Sequence, residues 1–204
     1  MIPPIRVLLA EDQAMIREAL AALLSFEDDM EVAAQVGRGD EVLITATDVK
    51  PDVALLDIEM PGLDGLAAAA ALHGRHPGIK IVILTTFGRP GYLRRAMESG
   101  VSGFIVKDSP AGKLADTIRQ VMRGQRVIDP ELAAAALASG ASPLTPRERD
   151  VLAASTDGGT IQQIARAVSL SEGTVRNYLS ACIGKTGARN RAEARRIAEE
   201  RGWL

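Results

Sequence analysis

The sequence predicts an α/β fold followed by an all-α one: a five-stranded, doubly wound parallel sheet, then a four-helix unit that contains a helix-turn-helix. Three observations carry this. Five apolar runs, 5–10, 32–36, 53–57, 79–85 and 103–106, alternate with segments of helical spacing. Parallel neighbours need crossover connections, so this alternation implies a sheet with helices on both faces. The charge then changes sign along the chain: residues 1–141 carry 14 Lys/Arg against 19 Asp/Glu, and residues 142–204 carry 10 against 7. Helix-start signals finally recur at short intervals beyond residue 142, at Thr145-Pro146-Arg147-Glu148, Thr160 and Ser171.

Taken in order, Ile5 to Ala10 is a strand that ends on Glu11-Asp12, and Ile16, Leu20, Leu23 and Leu24 line one face of a helix. Val53 to Asp57 is an unbroken apolar run that delivers one carboxylate into the turn Pro61-Gly62-Leu63-Asp64-Gly65, which reads as a buried parallel strand. The fourth run ends on Thr85-Thr86 and the fifth on Val106-Lys107; Leu114, Ile118, Val121 and Met122 mark the last helix, which closes a domain over 1–124. Ser109-Pro110 and Asp129-Pro130 each place a capping side chain before a proline at the first helical position. The second begins a short alanine-rich helix, Glu131 to Ala138, within a linker spanning 125–142 that ends in Ser139-Gly140-Ala141-Ser142.

Composition restricts the function classes. A formal net charge of −2 points to no partner, but the basic tail suits a polyanion better than the acidic front does. Cys182 is the only cysteine, which excludes an intramolecular disulfide and a cysteine metal cluster and fits a cytoplasmic setting. No signal-peptide core follows Met1 and no apolar run reaches membrane-spanning length, so no membrane insertion is expected. His73 and His76 have a metal-binding spacing, but Gly74 and Pro77 mark a helix end and no third ligand is evident.

Glu11, Asp12, Asp57, Thr85 and Lys107 all fall at carboxyl ends of strands, the edge where open α/β sheets bind ligands. Clustered carboxylates raise one another's pKa, and a cation relieves that cost; an all-oxygen set suits Mg²⁺. Such an ion together with Lys107 would stabilise charge on a transferring phosphoryl group, with Asp57 as nucleophile and Thr85 donating to a phosphoryl oxygen. Taken singly, Asp57 also reads as a helix cap, and Thr85, Phe104 and Lys107 as ordinary strand residues.

Glu11-Asp12, Asp57 followed by Met60-Pro61-Gly62, Thr85 and Lys107 together resemble the receiver domain of bacterial two-component response regulators. In that family a histidine kinase phosphorylates the aspartate with Mg²⁺ bound. The resemblance implies that Asp57 is the phosphoacceptor, assisted by Lys107 and Thr85. It makes Glu11, Asp12, Asp57 and the Glu59 backbone carbonyl the metal ligands, and Thr85 and Phe104 the switch pair, Phe104 turning inward as Thr85 moves. Many receivers carry a cis proline after the lysine; here Asp108 follows, where a cis bond costs roughly 3 kcal/mol. Thr86 stands where alanine is common, and its bulk would slow access of water to Asp57.

In the tail, Thr145-Pro146-Arg147-Glu148 forms a capping box that must start a helix. A second helix runs from Thr160, with Ile161, Ile164, Ala165 and Val168 inward. After the turn Ser169-Leu170-Ser171, a third carries Val175, Leu179, Cys182 and Ile183 on one face and Gly173, Asn177, Ser180 and Gly184 on the other. Small residues let a backbone lie close to a groove floor, while Asn and Arg read base edges or hold phosphate. A fourth helix, Arg191 to Arg201, closes the unit. Leu144 to Glu148, Ile164-Ala165, Thr174-Val175-Arg176-Asn177 and Asn190 to Ala194 resemble the LuxR-type helix-turn-helix, so that 143–204 is similar to that DNA-binding domain and the whole chain to the NarL/FixJ response regulators. The resemblance implies DNA contacts by Thr174, Arg176, Asn177, Ser180 and Lys185. It implies a kinase, promoter DNA, a second copy of the chain and RNA polymerase as partners, and no enzymatic role beyond the chain's own phosphoryl transfer. The loop Thr85 to Tyr92 is most similar to regulators of the DesR kind, linked to membrane-lipid desaturation. Two alternatives stay open: a hydrolase working through an aspartyl phosphate, and a DNA-binding module indifferent to phosphorylation.

Overall fold

The structure is a computed structural model that describes residues 3–86, 90–130, 133–134, 142–155 and 159–204; of residues 90, 91, 94, 98 and 111 it describes the backbone alone. Two compact units part between Ala133 and Ala134.

The first unit alternates strand and helix: β1 (Ile5–Ala10), α1 (Ala14–Ser25), β2 (Met30–Val36), α2 (Val42–Val49), β3 (Val53–Asp57), α3 (Gly65–Arg75), β4 (Lys80–Thr85), α4 (Pro90–Glu98), β5 (Gly103–Val106), α5 (Ala111–Met122) and β6 (Val127–Ile128). The sheet is parallel throughout, in the order β2-β1-β3-β4-β5-β6. The winding reverses between β1 and β3, which opens a crevice at their carboxyl ends. The sheet exceeds the predicted five strands by one. β6 has only two residues, too few for a periodic signal, and it lies past the predicted end at Gly124; Val127 N donates to Ser102 O at 3.0 Å.

Every residue of β3 is buried, as a central parallel strand covered on both faces requires. On one face Val7, Leu9, Leu55 and Val82 pack with Leu114, Ile118 and Val121 of α5. The residues of opposite parity, Leu8, Leu56 and Ile83, are equally buried. Arg119 of α5 pairs with Glu27 and Asp29, both at 2.6 Å, and so ties that helix to the turn between α1 and β2. One expectation shifts: Pro110 occupies the N-cap of α5 with no side-chain cap, so Ser109 does not cap this helix and the first helical residue is Ala111. At α3 the sequence logic is stricter. Asp64 caps it by accepting from Ala67 N at 2.7 Å, and Gly65 lies so close to the end of β3 that a Cβ there would sit 1.8 Å from Asp57 O. Gly65→Ala is therefore expected to destabilise this unit by about 1–3 kcal/mol, as overpacking does, and thermal unfolding would measure it.

The second unit is helical: α6 (Pro146–Ala153), α7 (Ile161–Ala167), α8 (Glu172–Thr186) and α9 (Arg191–Glu200). Each begins on a side-chain cap: Thr145 with Glu148, Thr160 with Gln163, Ser171 and Asn190. Gly187 at φ +68° ends α8 in the left-handed region. Val151, Leu152, Ile164, Val175, Leu179 and Cys182 form the core, which Ala194, Ala198 and Trp203 complete. The predicted alanine-rich helix 131–138 lies outside the described residues except for Ala133 and Ala134, which are helical. Linker residues 139–141, the loop residues 87–89 and the first two residues of Asp157-Gly158-Gly159, where the sequence predicts the first tail helix to end, also lie outside them.

Candidate functional site

Three strand ends deliver the charged groups of the first unit. Glu11 follows β1 and is fully buried; Asp57 closes β3 and is 4 % exposed; Lys107 follows β5. Lys107 Nζ lies 2.6 Å from Glu11 Oε2 and 3.0 Å from Asp57 Oδ1, so one ammonium bridges two carboxylates. Asp12 is exposed, yet its carboxylate comes within 4.8 Å of ligand atoms from both other acids. Burial lifts the Asp57 pKa above the ordinary carboxylate value, an effect Lys107 opposes without cancelling and Glu11 reinforces. Burial works the other way on Lys107, but Glu11 and Asp57 together hold its pKa above the ordinary value.

Among the described residues, the cluster thus sets Glu11, Asp12 and Asp57 against Lys107. Glu11 Oε1 accepts from Gln13 N at 3.2 Å, whereas Oε2 is buried and its contact with Lys107 is not aligned as a hydrogen bond. An all-carboxylate set with excess negative charge fits a hard divalent cation. Thr85 is 3 % exposed at the end of β4, and its carbonyl accepts from Lys107 N at 2.7 Å, which couples β4 to the lysine. Phe104, on β5, is 1 % exposed. In this conformation it is already inside, so the inward turn that the resemblance implies has no outward starting point here. Glu59 lies exposed two residues past β3, lining a cavity of about 470 Å³ with Asp12, Met60, Tyr92 and Arg95. The Lys107–Asp108 bond is trans. The two histidines diverge: His76 Nε2 reaches Thr47 Oγ1 at 3.1 Å, while the His73 ring packs against Gly100.

Sequence reasoning passed over Arg17. Its Nη1 donates to the Glu11 carbonyl at 2.5 Å and lies 3.5 Å from that of Asp12. Nothing in the helical spacing of α1 distinguishes it from a solvated charge.

In the second unit, α7, a four-residue turn and α8 form the helix-turn-helix, with Ser169 at φ +54° inside the turn. Arg176, Asn177 and Ser180 are exposed on α8, and Thr174 is half-buried with Oγ1 2.8 Å from Ser171 Oγ. Arg176 Nη2 contacts Glu172 Oε2 at 3.0 Å, an exposed pair that a phosphate or base edge can displace. Lys185 is placed differently: its Nζ lies 2.7 Å from Glu148 Oε2. The same oxygen accepts from Thr145 N at 2.6 Å, and Cys182 Sγ approaches Glu148 O at 3.5 Å. Buried Glu148 thereby joins the start of α6 to α8, a role that residue types alone do not reveal.

Comparisons with known proteins agree with this geometry. Residues 7–119 match the response regulator receiver domain family, and residues 142–198 match the bacterial regulatory proteins of the luxR family. The chain is 47 % identical over 200 residues to the transcriptional regulatory protein DesR of Bacillus subtilis, covering 98 % of this chain and 99 % of that protein. It is 32 % identical over 205 residues to the DNA-binding transcriptional activator DevR/DosR of Mycobacterium tuberculosis, covering 96 % and 94 %. Among solved structures, the response regulator ChrA of a heme-sensing two-component system matches with TM-score 0.59 and 30 % identity over the whole of both chains. The response regulator RcsB, in complex with DNA, matches with TM-score 0.67 over 97 % of this chain and 98 % of that one; at 19 % identity this bears on the fold alone. A receiver sheet with its acid cluster, joined to a capped helix-turn-helix, makes this chain a member of the LuxR-family response regulators, DNA-binding transcription regulators governed by phosphorylation.

Proposed function

We propose that Asp57 is the phosphoacceptor, that its phosphorylation by a histidine kinase switches the receiver and favours a homodimer, and that α8 then engages promoter DNA at paired half-sites. Residues 1–124 together with β6 serve as receiver, the segment from there to 142 as linker and 143–204 as DNA-binding domain, in a cytoplasmic protein; the structure's described residues contain no helix long and apolar enough to cross a membrane. The observation that carries the reading is one partly buried lysine held between Glu11 and Asp57 beside an exposed third acid.

In the chemical step an Asp57 carboxylate oxygen attacks phosphorus, the P–N bond of a phosphohistidine breaks and the imidazole leaves. Glu11, Asp12, Asp57 and the Glu59 carbonyl would hold Mg²⁺, which supplies charge neutralisation at the phosphoryl oxygens. Lys107 sits within reach of the same oxygens and can exchange its contact with Asp57 for one of them. Thr85, joined to Lys107 through the backbone, donates its hydroxyl to the phosphoryl group and relays the change through β4. Phe104, already packed in the core, stabilises that arrangement. With no further turnover proposed, release of inorganic phosphate from a phosphomonoester would instead support the hydrolase alternative.

Incubation with a small phosphodonor and Mg²⁺, followed by peptide mapping, tests the assignment: the label is expected on Asp57, and label elsewhere would refute it. The lifetime of that label gives a further expectation. Thr86 stands exposed directly after Thr85, and Thr86→Ala is expected to speed label loss by a few-fold, on the order of 1 kcal/mol of barrier. An unchanged lifetime would leave Thr86 without a role there.

On DNA, Thr174, Arg176, Asn177 and Ser180 form the contacting set, with RNA polymerase as a further partner. Lys185 is engaged by Glu148, so its contribution is to hold α8 on α6. Binding measured against salt separates the two cations. Arg176→Ala is expected to lower affinity by about 1–3 kcal/mol, while Lys185→Gln leaves the salt slope unchanged; a slope smaller by about one would make Lys185 a phosphate contact.

A further inference from the structure

The loop that carries Glu11 and Asp12 has no helix cap to fix it. Gln13, at the N-cap of α1, makes no side-chain capping bond, and no acid stands in the first turn. Apart from the Gln13 N bond to Glu11 Oε1 at 3.2 Å, the loop is held from outside. Glu11 N donates to Val36 O at 3.1 Å, and the buried Glu11 carbonyl accepts from Arg17 Nη1 at 2.5 Å, with the Asp12 carbonyl 3.5 Å from the same nitrogen. The guanidinium lies in a slot opposite Gly37: a Cβ on that glycine would stand 3.3 Å from Arg17 Nη1 and 4.0 Å from Glu11 O. One planar group thus fits between the end of β2 and the two carbonyls whose residues supply the metal-side acids.

We infer that Arg17 is a positioning residue for divalent-cation binding: by fixing the Glu11 and Asp12 carbonyls it aims their carboxylates at the cluster shared with Asp57. The inference rests on the cation reading of that cluster. Arg17 does not touch the ion; it acts through the backbone of the ligands, as groups outside a ligand set do.

Charge alone predicts the opposite sign, which makes the inference testable. A guanidinium near the site repels a dication, so removing it would tighten binding if electrostatics dominated. If positioning dominates, removal loosens the acids and weakens binding.

The measurement is isothermal titration of Mg²⁺ into the full-length chain as wild type, Arg17→Met and Gly37→Ala. Arg17→Met, which keeps an unbranched stem, is expected to weaken Mg²⁺ binding about tenfold. Gly37→Ala, which keeps the charge but crowds the fork, is expected to weaken it by a smaller factor. Phosphorylation of Arg17→Met by a small phosphodonor should need more Mg²⁺ yet approach the wild-type rate at saturation, a split that general misfolding would not produce. Arg17→Met binding Mg²⁺ as tightly as wild type, or more tightly, overturns the inference while leaving the cation reading intact. Absence of binding heat in wild type as well as in both variants removes the cation reading and the inference together.

Discussion

Asp57→Asn is expected to abolish phosphoryl incorporation, by more than about 1,000-fold, while leaving the receiver folded. The amide keeps the shape of the side chain but removes the nucleophile and one negative charge from a cluster of three acids, two of which share Lys107. The raised Asp57 pKa shows that the fold pays for the ionised form at neutral pH, mainly through burial. Neutralising it relieves repulsion with Glu11 and leaves Lys107 paired at 2.6 Å. The thermal midpoint should therefore hold or rise as labelling disappears. A midpoint that falls sharply would mean that Asp57 is chiefly structural.

The second large effect lies in the DNA-binding unit. Glu148 is 5 % exposed, accepts from both Thr145 N and Lys185 Nζ on one oxygen, and completes the capping box of α6. Glu148→Ala removes the Glu148 half of the capping box, leaving the Thr145 side-chain cap on the residue-148 N–H, and strands the Lys185 ammonium, which is 37 % exposed and so partly solvated. The expected cost is about 2–3 kcal/mol, of which the cap accounts for roughly 1. That is a large share of the ~3–9 kcal/mol that a unit of this size commands. Trp203 is the chain's single tryptophan and is buried in the core of this unit, so its fluorescence during urea unfolding of the full chain reports the unit specifically. Acid should act at the same point. Burial works against the Glu148 charge, but Lys185 and Thr145 outweigh it and hold the pKa below its ordinary value of 4.5. A depressed folded-state pKa gives stability that is present above the unfolded value and lost as pH falls through the folded one. The urea midpoint should thus drop below about pH 4.5 in wild type, and Glu148→Gln should lack that component of the drop; identical pH profiles would contradict the assignment.

What the sequence makes legible follows from how locally each feature is encoded. β3 announces itself because a strand covered on both faces is apolar throughout and ends on its one acid. The caps at Thr145, Thr160 and Ser171 are readable because each is complete within four residues. The convergence of Glu11, Asp57 and Lys107 follows from strand ends sharing one sheet edge, though only coordinates reveal that one ammonium serves both carboxylates. Features that depend on packing between distant segments are hidden. Arg17 occupies a helix position like any surface arginine, and its function comes from the carbonyls it meets. Lys185 lies at a position where a phosphate contact is expected, and only coordinates reveal its pairing with Glu148, distant in sequence. β6 escapes detection because two residues have no period. Ser109-Pro110 misplaces a helix start by one residue because a proline tolerates both the N-cap and the first helical position.

The central claim is that phosphorylation at Asp57 controls DNA binding, and one titration tests it directly. A DNA fragment selected from a random-sequence pool by the phosphorylated protein is titrated with wild type and Asp57→Asn, each with and without phosphodonor and Mg²⁺, and anisotropy is read at fixed salt. Wild type should gain about 5- to 150-fold in affinity on phosphodonor addition, the usual range of coupling between sites, and Asp57→Asn should gain nothing. Equal affinity for both proteins under all conditions would contradict the claim and leave a DNA-binding module that is indifferent to its receiver.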